Sequence, residues 1–392
     1  MDTPVRSIRR QDEFRRFAAE HIAPHAGAHD RTQALAEGIR TKLAGQGYLA
    51  PFLAPEWGGT AMDMVTYGAL HEEIGRACSS VRSLLTVHDM ASFTIFRWGS
   101  EAQRSKWLRA LASGQAIGAF ALSEPNAGSD VNGIETTAEP TSIGFVLEGQ
   151  KKWITFGQIA DVFVVLARSE GRPTMFLIER DAPGLTIEPI TGVTGTRGSM
   201  LASLHFRNCP VPKSALIGRP GFGAVPVALS ALGLGRYSVA CGSLGIAQAC
   251  LDACFEYVNR THRFGAALKE HQLIQQMITQ MITDISASRS LCRLAGALKD
   301  DGDPQEIMQT FIAKYHASTA AMRAADNAVQ IHGANGCTQE YPVERYMRDA
   351  KVMEIIEGST QIQQITIASL GFQDFERQRA GSEAVTPIRQ RA

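Results

Sequence analysis

From Asp12 to Gly114 apolar residues recur at three- and four-residue intervals in FRRFAAEHIAPHA, ALAEGIRTKLAGQGYL, MVTYGALHEEIGRA and EAQRSKWLRALASG, punctuated by the loop APEWGG. That spacing predicts amphipathic helices. Between the last two lies CSSVRSLLTVHDMASFTIFRWG, apolar enough to predict a central, mostly buried helix although it carries Arg82, His88 and Asp89. A buried arginine is costly unless it is paired. The partner is Asp89, Glu73 or the anion of a bound substrate. At Gly118 the pattern shifts to the short runs GAFALSEPNAGSD, FVLEGQKKWITFG, ADVFVVLARS, PTMFLIER and SMLASLHFRN, rich in Phe, Val, Ile and Leu and separated by Gly, Pro, Asn and Asp. These predict a β domain of about one hundred residues. Beyond Gly221 long helical patterns return, broken by GDP at residues 302–304.

The expected architecture is therefore multidomain α+β: an N-terminal helical domain over 1–117, a central β-barrel-like or sandwich domain over 118–219 and a C-terminal four-helix bundle over 220–374. Residues 375–392 are polar and aperiodic, and are expected to form a flexible tail.

Composition narrows the function without naming it. At 392 residues and 44% hydrophobic, the chain has material for two or three domains. Its 39 basic residues balance 39 acidic ones, so no net field favours nucleic acid or anionic lipid. The seven cysteines (Cys78, Cys209, Cys241, Cys250, Cys254, Cys292 and Cys337) are odd in number and scattered. With no apolar signal-peptide core in MDTPVRSIRRQDEFRRF and no uninterrupted apolar run near the ~20 residues of a membrane span, a reducing cytoplasmic location is expected. Cys250 and Cys254, four apart, are read as core residues, since no partners stand at zinc-site spacing.

The segment RDAKVMEIIEGSTQIQ, Arg348 to Gln363, carries the candidate chemistry. Glu357 stands among Val352, Met353, Ile355 and Ile356 and just before Gly358. An apolar wall raises a carboxylate's pKa and makes it a stronger base toward carbon than one in water. A glutamate at a helix end is also commonly a capping or solvated group. Glu354, one turn earlier, either couples to Glu357 or is ion-paired elsewhere.

Taken in order, APEWGG, GSEAQRSKWLRALASG, ALSEPNAGSD, KKWITFG, FGAALKEHQ, QIHGANG, PVERYMRDA and IIEGSTQIQ resemble the motifs of the acyl-CoA dehydrogenases, from about Gln11 to Leu370. The resemblance implies α,β-dehydrogenation of an acyl thioester with FAD, Glu357 being the base and its N–H helping to polarise the thioester carbonyl. It implies flavin contacts at Leu122, Ser123, Ser129, Trp153 and Thr155, and nucleotide-side contacts at Ser359 and Gln361. Core packing is the alternative reading of Trp153. Gln330, Gly333, Ala334 and Gly336 match a loop that approaches FAD from a neighbouring subunit, which implies a homodimer or homotetramer, and Arg263, Phe264 and Gln272 match further FAD-binding positions. Arg82, Ser129, Arg236 and Gly358 match substrate positions. The implied partners are an acyl thioester on CoA or acyl carrier protein and an acceptor such as an electron-transfer flavoprotein.

The chain departs from the family pattern in four places. Thr261 replaces the usual pyrophosphate arginine, with Arg260 or Arg263 as its substitute; ITFG, QIHGANG and Ile356 replace commoner residues. In some relatives the base sits on an earlier helix next to the position of Arg236, and here that neighbour is Gly235. VRSLLTVHDM resembles glutaryl-CoA dehydrogenases, and CSSVRSLLT with MEIIEGS resembles the acyl-carrier-protein dehydrogenases of hydroxymalonyl and methoxymalonyl extender-unit synthesis. The implied substrate is a short, polar acyl group.

Overall fold

The computed structural model describes residues 3–384. Its first part holds α1 (Thr3–His21), α2 (Ala26–Thr32), α3 (Ile39–Gly45), α4 (Met64–Ala77), α5 (Ser79–Trp98) and α6 (Glu101–Ala112). Side chains fix where these helices begin. Asp63 accepts from the Thr66 N–H at the start of α4, and Ser100 and Gln103 satisfy each other's backbone donors at the start of α6. Both devices occupy N–H groups that a first helical turn leaves without acceptors. α5 is the expected central helix, buried without a break from Ser79 to Ser92.

The strands are β1 (Gly118–Ala121), β2 (Thr137–Pro140), β3 (Gly144–Ile154), β4 (Val162–Ser169), β5 (Arg172–Glu179), β6 (Leu185–Pro189), β7 (Ala202–Pro212) and β8 (Leu216–Ile217). They form one sheet in the order β6-β7-β3-β2-β4-β5-β8, with β1 added parallel to β4. β4 is buried along almost its whole length, so both its faces are covered, and VFVVL reads as a continuous aliphatic run rather than an alternation. β4 and β5 are joined by Glu170 and Gly171, both at positive φ, as a tight hairpin requires.

The last part comprises α7 (Leu229–Arg260), the ribbon β9 (His262–Arg263) and β10 (Ala266–Ala267), α8 (Gln272–Asp300), α9 (Glu306–His332), α10 (Val343–Met353) and α11 (Thr360–Ala384). Among the described residues it holds five helices, the last two separated by the left-handed turn at Glu357 and Gly358. α11 also runs through Phe375 to Ala384, where a flexible tail was expected. QDFERQRA is rich in good helix formers, which extend a helix without any buried stripe. The remainder of the expected tail lies outside the described residues.

The helix Gly223–Arg260 is long and apolar enough by composition to span a bilayer, but Arg236 and Asp252 interrupt its apolar run and most of it is buried inside the protein. α4, α5, α8 and α9 pack around it. The approach to α4 is backbone to backbone: a Cβ at Gly75 would lie 2.8 Å from Gly242 Cα, and one at Gly245 would lie 2.1 Å from Glu72 O. These missing side chains let α7 sit deep between its neighbours.

Candidate active site

Glu357 and Gly358 form the turn between α10 and α11, with φ of 54° and 90°. Glycine adopts that conformation freely, but for glutamate it costs about 1 to 2 kcal/mol, so its surroundings must hold it there. Lys314 on α9 donates from Nζ to Gly358 O at 2.7 Å, and Gln363 donates from Nε2 to Glu357 O at 3.1 Å and Gly358 O at 3.0 Å. α10 is fixed as well. Arg348 forks onto Asp30 of α2 at 2.9 and 2.7 Å, and Asp349 accepts from the Thr196 N–H.

The residue keeps partial exposure, but the Glu357 carboxylate itself points inward: Oε2 is buried with no hydrogen-bond partner among the described residues. A Cβ at Gly235 of α7 would lie 2.5 Å from that oxygen and 2.6 Å from Met90 Sδ of α5. Burial raises the Glu357 pKa above the ordinary carboxylate value, and the fields of Arg236, Lys314 and Arg82 oppose the rise. Arg236 lies over the Phe311 ring at 4.5 Å and leaves its Nε unpaired. A dry carboxylate with no acceptor duty, facing an apolar wall, suits proton abstraction from carbon.

Arg82 is completely buried. Neither acid proposed for it from the sequence is its partner. Glu73 accepts from Gln11, Arg15 and Arg76, while Asp89 accepts from the Ala50 N–H and the Tyr67 hydroxyl. Arg82 donates instead to three neutral atoms, Thr86 Oγ1 at 2.9 Å, Ser83 Oγ at 3.2 Å and Met353 Sδ at 3.1 Å, and its Nε has no partner. Burial lowers its pKa to about 10, Glu357 being the foremost opposing charge. Thr86 Oγ1 also meets Ser238 Oγ at 2.5 Å, which meets His71 Nδ1 at 2.8 Å, so the arginine is held by a buried polar chain. A Cβ at Gly242 would lie 2.8 Å from Arg82 Cδ and Nε; glycine there makes the room.

Leu122 and Ser123 lie in the loop after β1, strapped to β3. Lys151, fully buried, donates to Leu122 O at 3.0 Å and to the Glu124 carboxylate at 2.6 Å, and the Lys152 N–H donates to Ser123 O at 2.9 Å. Glu124 also receives the N–H groups of Glu135 and Thr136. Phe120 and Leu122 share an apolar cluster with Met90 and Ala231, which sets this loop against the helices around Glu357. Trp153 is 51% exposed at φ 64°, with Lys152 Nζ 4.9 Å from its ring centroid, so it is not a core residue. Ser129 is exposed and Thr155 half-buried. A half-exposed indole fits packing against a planar cofactor ring, and Ser and Thr hydroxyls suit a ring that both accepts and donates hydrogen bonds.

Models of the N-terminal, middle and C-terminal domains of acyl-CoA dehydrogenases match residues 8–115, 119–209 and 225–370. The chain belongs to the acyl-CoA dehydrogenase family. It is similar to the mitochondrial short-chain specific acyl-CoA dehydrogenase of Homo sapiens, 36% identical over 360 residues, 90% of this chain and 87% of that protein. A glutaryl-CoA dehydrogenase solved with glutaryl-CoA superposes with TM-score 0.91 at 34% identity, covering 95% of this chain and 96% of that one. FkbI, solved for biosynthesis of the methoxymalonyl extender unit of the Fk520 polyketide, superposes with TM-score 0.84 at 29% identity, covering 93% and 99%. This dehydrogenase is an FAD-dependent oxidoreductase, and its strapped Leu122–Ser123 loop and exposed Trp153 suit that cofactor.

The remaining predicted residues fall into two groups. Arg236 and Gly358 adjoin Glu357: a Cβ at Gly358 would lie 3.8 Å from Arg236 Nε. Ser359 accepts from the Ile362 N–H at 3.4 Å at the start of α11, and Gln361 is exposed. Arg263, Phe264 and Gln272 project from the β9–β10 ribbon and the start of α8, with Phe264 99% exposed; Gln330, Gly333 and Ala334 are exposed at the end of α9, and Gly336 is buried. None of this second group is among the groups that hold or bias Glu357 within the chain. Glu354 is ion-paired with Lys351 at 2.8 Å, and Cys250 and Cys254 pack in an apolar cluster with Val239 and Ala324.

Sequence reasoning missed Lys314, Gln363 and the Lys151–Glu124 pair. Lys314 was findable: it stands one turn from Phe311 and from Ala317 on the buried face of α9, an unusual place for a lysine. Nothing local marks the other three.

Proposed function

We propose that this dehydrogenase oxidises short acyl thioesters, carried on CoA or an acyl carrier protein, whose acyl group ends in a carboxylate or another strongly polar group, with Glu357 removing the α-proton. Arg82 carries the reading. It is a fully buried cation with neutral partners and, among the described residues, a free Nε and no carboxylate of its own, in the electrostatic reach of the base. Leaving a charge so placed is costly unless a ligand completes it, and a guanidinium completes best with a carboxylate.

The chemistry follows from the turn. The thioester acidifies its α-carbon, and the desolvated Glu357 carboxylate takes that proton as the Cα–H electrons become the Cα=Cβ bond. Bound FAD supplies the acceptor for the hydride that leaves the β-carbon. The Glu357 N–H has no acceptor among the described residues, so it is free to meet the thioester oxygen where negative charge develops. Leu122, Ser123, Ser129, Trp153 and Thr155 would hold the flavin ring, with Ser359 and Gln361 toward the nucleotide. Arg263, Phe264, Gln272, Gln330, Gly333, Ala334 and Gly336, none of which holds or biases Glu357 in its own chain, would serve the FAD of a second copy, and an electron-transfer flavoprotein would reoxidise it.

Anaerobic bleaching of the flavin by a panel of acyl-CoA and acyl-carrier-protein thioesters tests this. Fastest reduction by a short acyl group with a polar or acidic end is expected; a preference for unsubstituted butyryl or longer chains overturns it. Matched CoA and carrier-protein esters of one acyl group separate a catabolic enzyme from one of secondary metabolism.

A further inference from the structure

We propose that Lys314 and Gln363 are the positioning residues of the catalytic turn: together they clamp the left-handed backbone of Glu357 and Gly358, and the cation of Lys314, bonded to that turn, favours the anionic form of the carboxylate beside it. This inference rests on Glu357 being the base.

Two successive residues at positive φ turn their carbonyls away from the ladders of α10 and α11, and both oxygens need donors. The three bonds from Lys314 Nζ and Gln363 Nε2 supply them. Both side chains are completely buried, and they come from different elements, α9 and the first turn of α11, so the turn is gripped from two directions. If Lys314 served only as a hydrogen-bond donor, an ammonium would be a poor choice. A neutral amide would bond Gly358 O equally well without the cost of burying a charge that has no ion-paired acid.

The charge acquires a purpose from what faces it. Glu357 is the anion that most favours protonated Lys314, ahead of Glu354, which has Lys351 as its own partner; Arg236 opposes it. Around Glu357 itself stand Arg236 from α7, Lys314 from α9 and Arg82 from α5, all acting against the rise caused by burial. Arg236 is tied up over Phe311 and Arg82 by Thr86 and Ser83. Lys314 alone of these three is bonded to the backbone of the turn that carries the base, so one side chain fixes both where the carboxylate points and how readily it ionises.

The test uses the FAD-loaded enzyme and its best acyl thioester in anaerobic flavin reduction across pH, with Lys314→Met, Gln363→Leu and Glu357→Gln made side by side. Lys314→Met is expected to retain FAD, to slow reduction roughly tenfold or more, and to move the carboxylate limb of the rate profile to higher pH. Gln363→Leu, which removes the grip and no charge, should slow reduction with the limb in place. A Lys314→Met enzyme with the wild-type rate and limb overturns the inference, as does a Gln363→Leu enzyme with the wild-type rate; if Lys314→Met does not fold, Gln363→Leu decides alone. Should Glu357→Gln itself reduce flavin normally, it is the assignment of the base that fails.

Discussion

Replacing Arg82 with methionine separates a ligand-binding arginine from a structural one. In the folded protein the guanidinium makes three bonds to neutral atoms and neutralises no acid. Its loss would leave no orphaned carboxylate, and the hydroxyls keep other acceptors: Ser83 donates to Ser79 O, and Thr86 to Arg82 O. Burial lowers its pKa from 12.5 to about 10, which corresponds to a penalty of ~3 kcal/mol on the charged form. Arg82→Met should therefore fold, hold FAD and melt at or above the wild-type temperature, where removal of one member of a buried ion pair would cost ~3 to 5 kcal/mol. For a thioester with a terminal carboxylate the same change strands that carboxylate in a dry pocket, a loss of ~3 to 5 kcal/mol or roughly a hundred- to several-thousandfold in flavin-reduction rate per substrate concentration. An unsubstituted short acyl thioester should lose little. The assay is stopped-flow reduction with matched acidic and apolar thioesters, alongside a thermal melt. Equal losses on both substrates, or a melting temperature many degrees lower, would refute the reasoning.

Other consequences follow from neighbouring contacts. Gly235→Ala puts a Cβ 2.5 Å from Glu357 Oε2; the flexible carboxylate gives way, so stability should hold while reduction falls roughly a hundredfold from misplacement, checked by melting and single-turnover rates. Lys151→Met breaks the buried pair with Glu124 at 2.6 Å; it should cost ~3 kcal/mol and release FAD on gel filtration, with Glu124→Gln added to it restoring part of the stability. The base must be ionised to act and burial raises its pKa, so the reduction rate should fall as pH drops through a limb above the ordinary carboxylate range, and a limb at or below 4.5 would contradict the buried site.

Much of this was legible in the residues. The helical spacing before Gly114, the aliphatic runs after Gly118 and the return to long helices follow from where apolar side chains must go, and α5 is buried as its composition demands. Glu357 stood out because an acid that follows Ile355 and Ile356 and directly precedes Gly358 must be either dry or at a turn, and it is both. What escaped depends on long-range contact. Lys314 and Gly358 are 44 residues apart, and Arg82 and Met353 are 271 apart. The sequence left Arg82 three possible partners, and only the geometry showed that Glu73 and Asp89 were already engaged. Positive φ at Trp153 and Glu357 was equally hidden, because neither residue type favours it and each is held there by its surroundings.

The account stands on Glu357 as the group that takes the α-proton, and Glu357→Gln tests this most directly because glutamine keeps size and hydrogen bonding while removing the proton acceptor. In an anaerobic stopped-flow experiment with the best thioester of the panel, the variant should carry full FAD, and flavin bleaching should slow by roughly a hundredfold or more. Reduction of its flavin at near the wild-type rate would contradict the assignment.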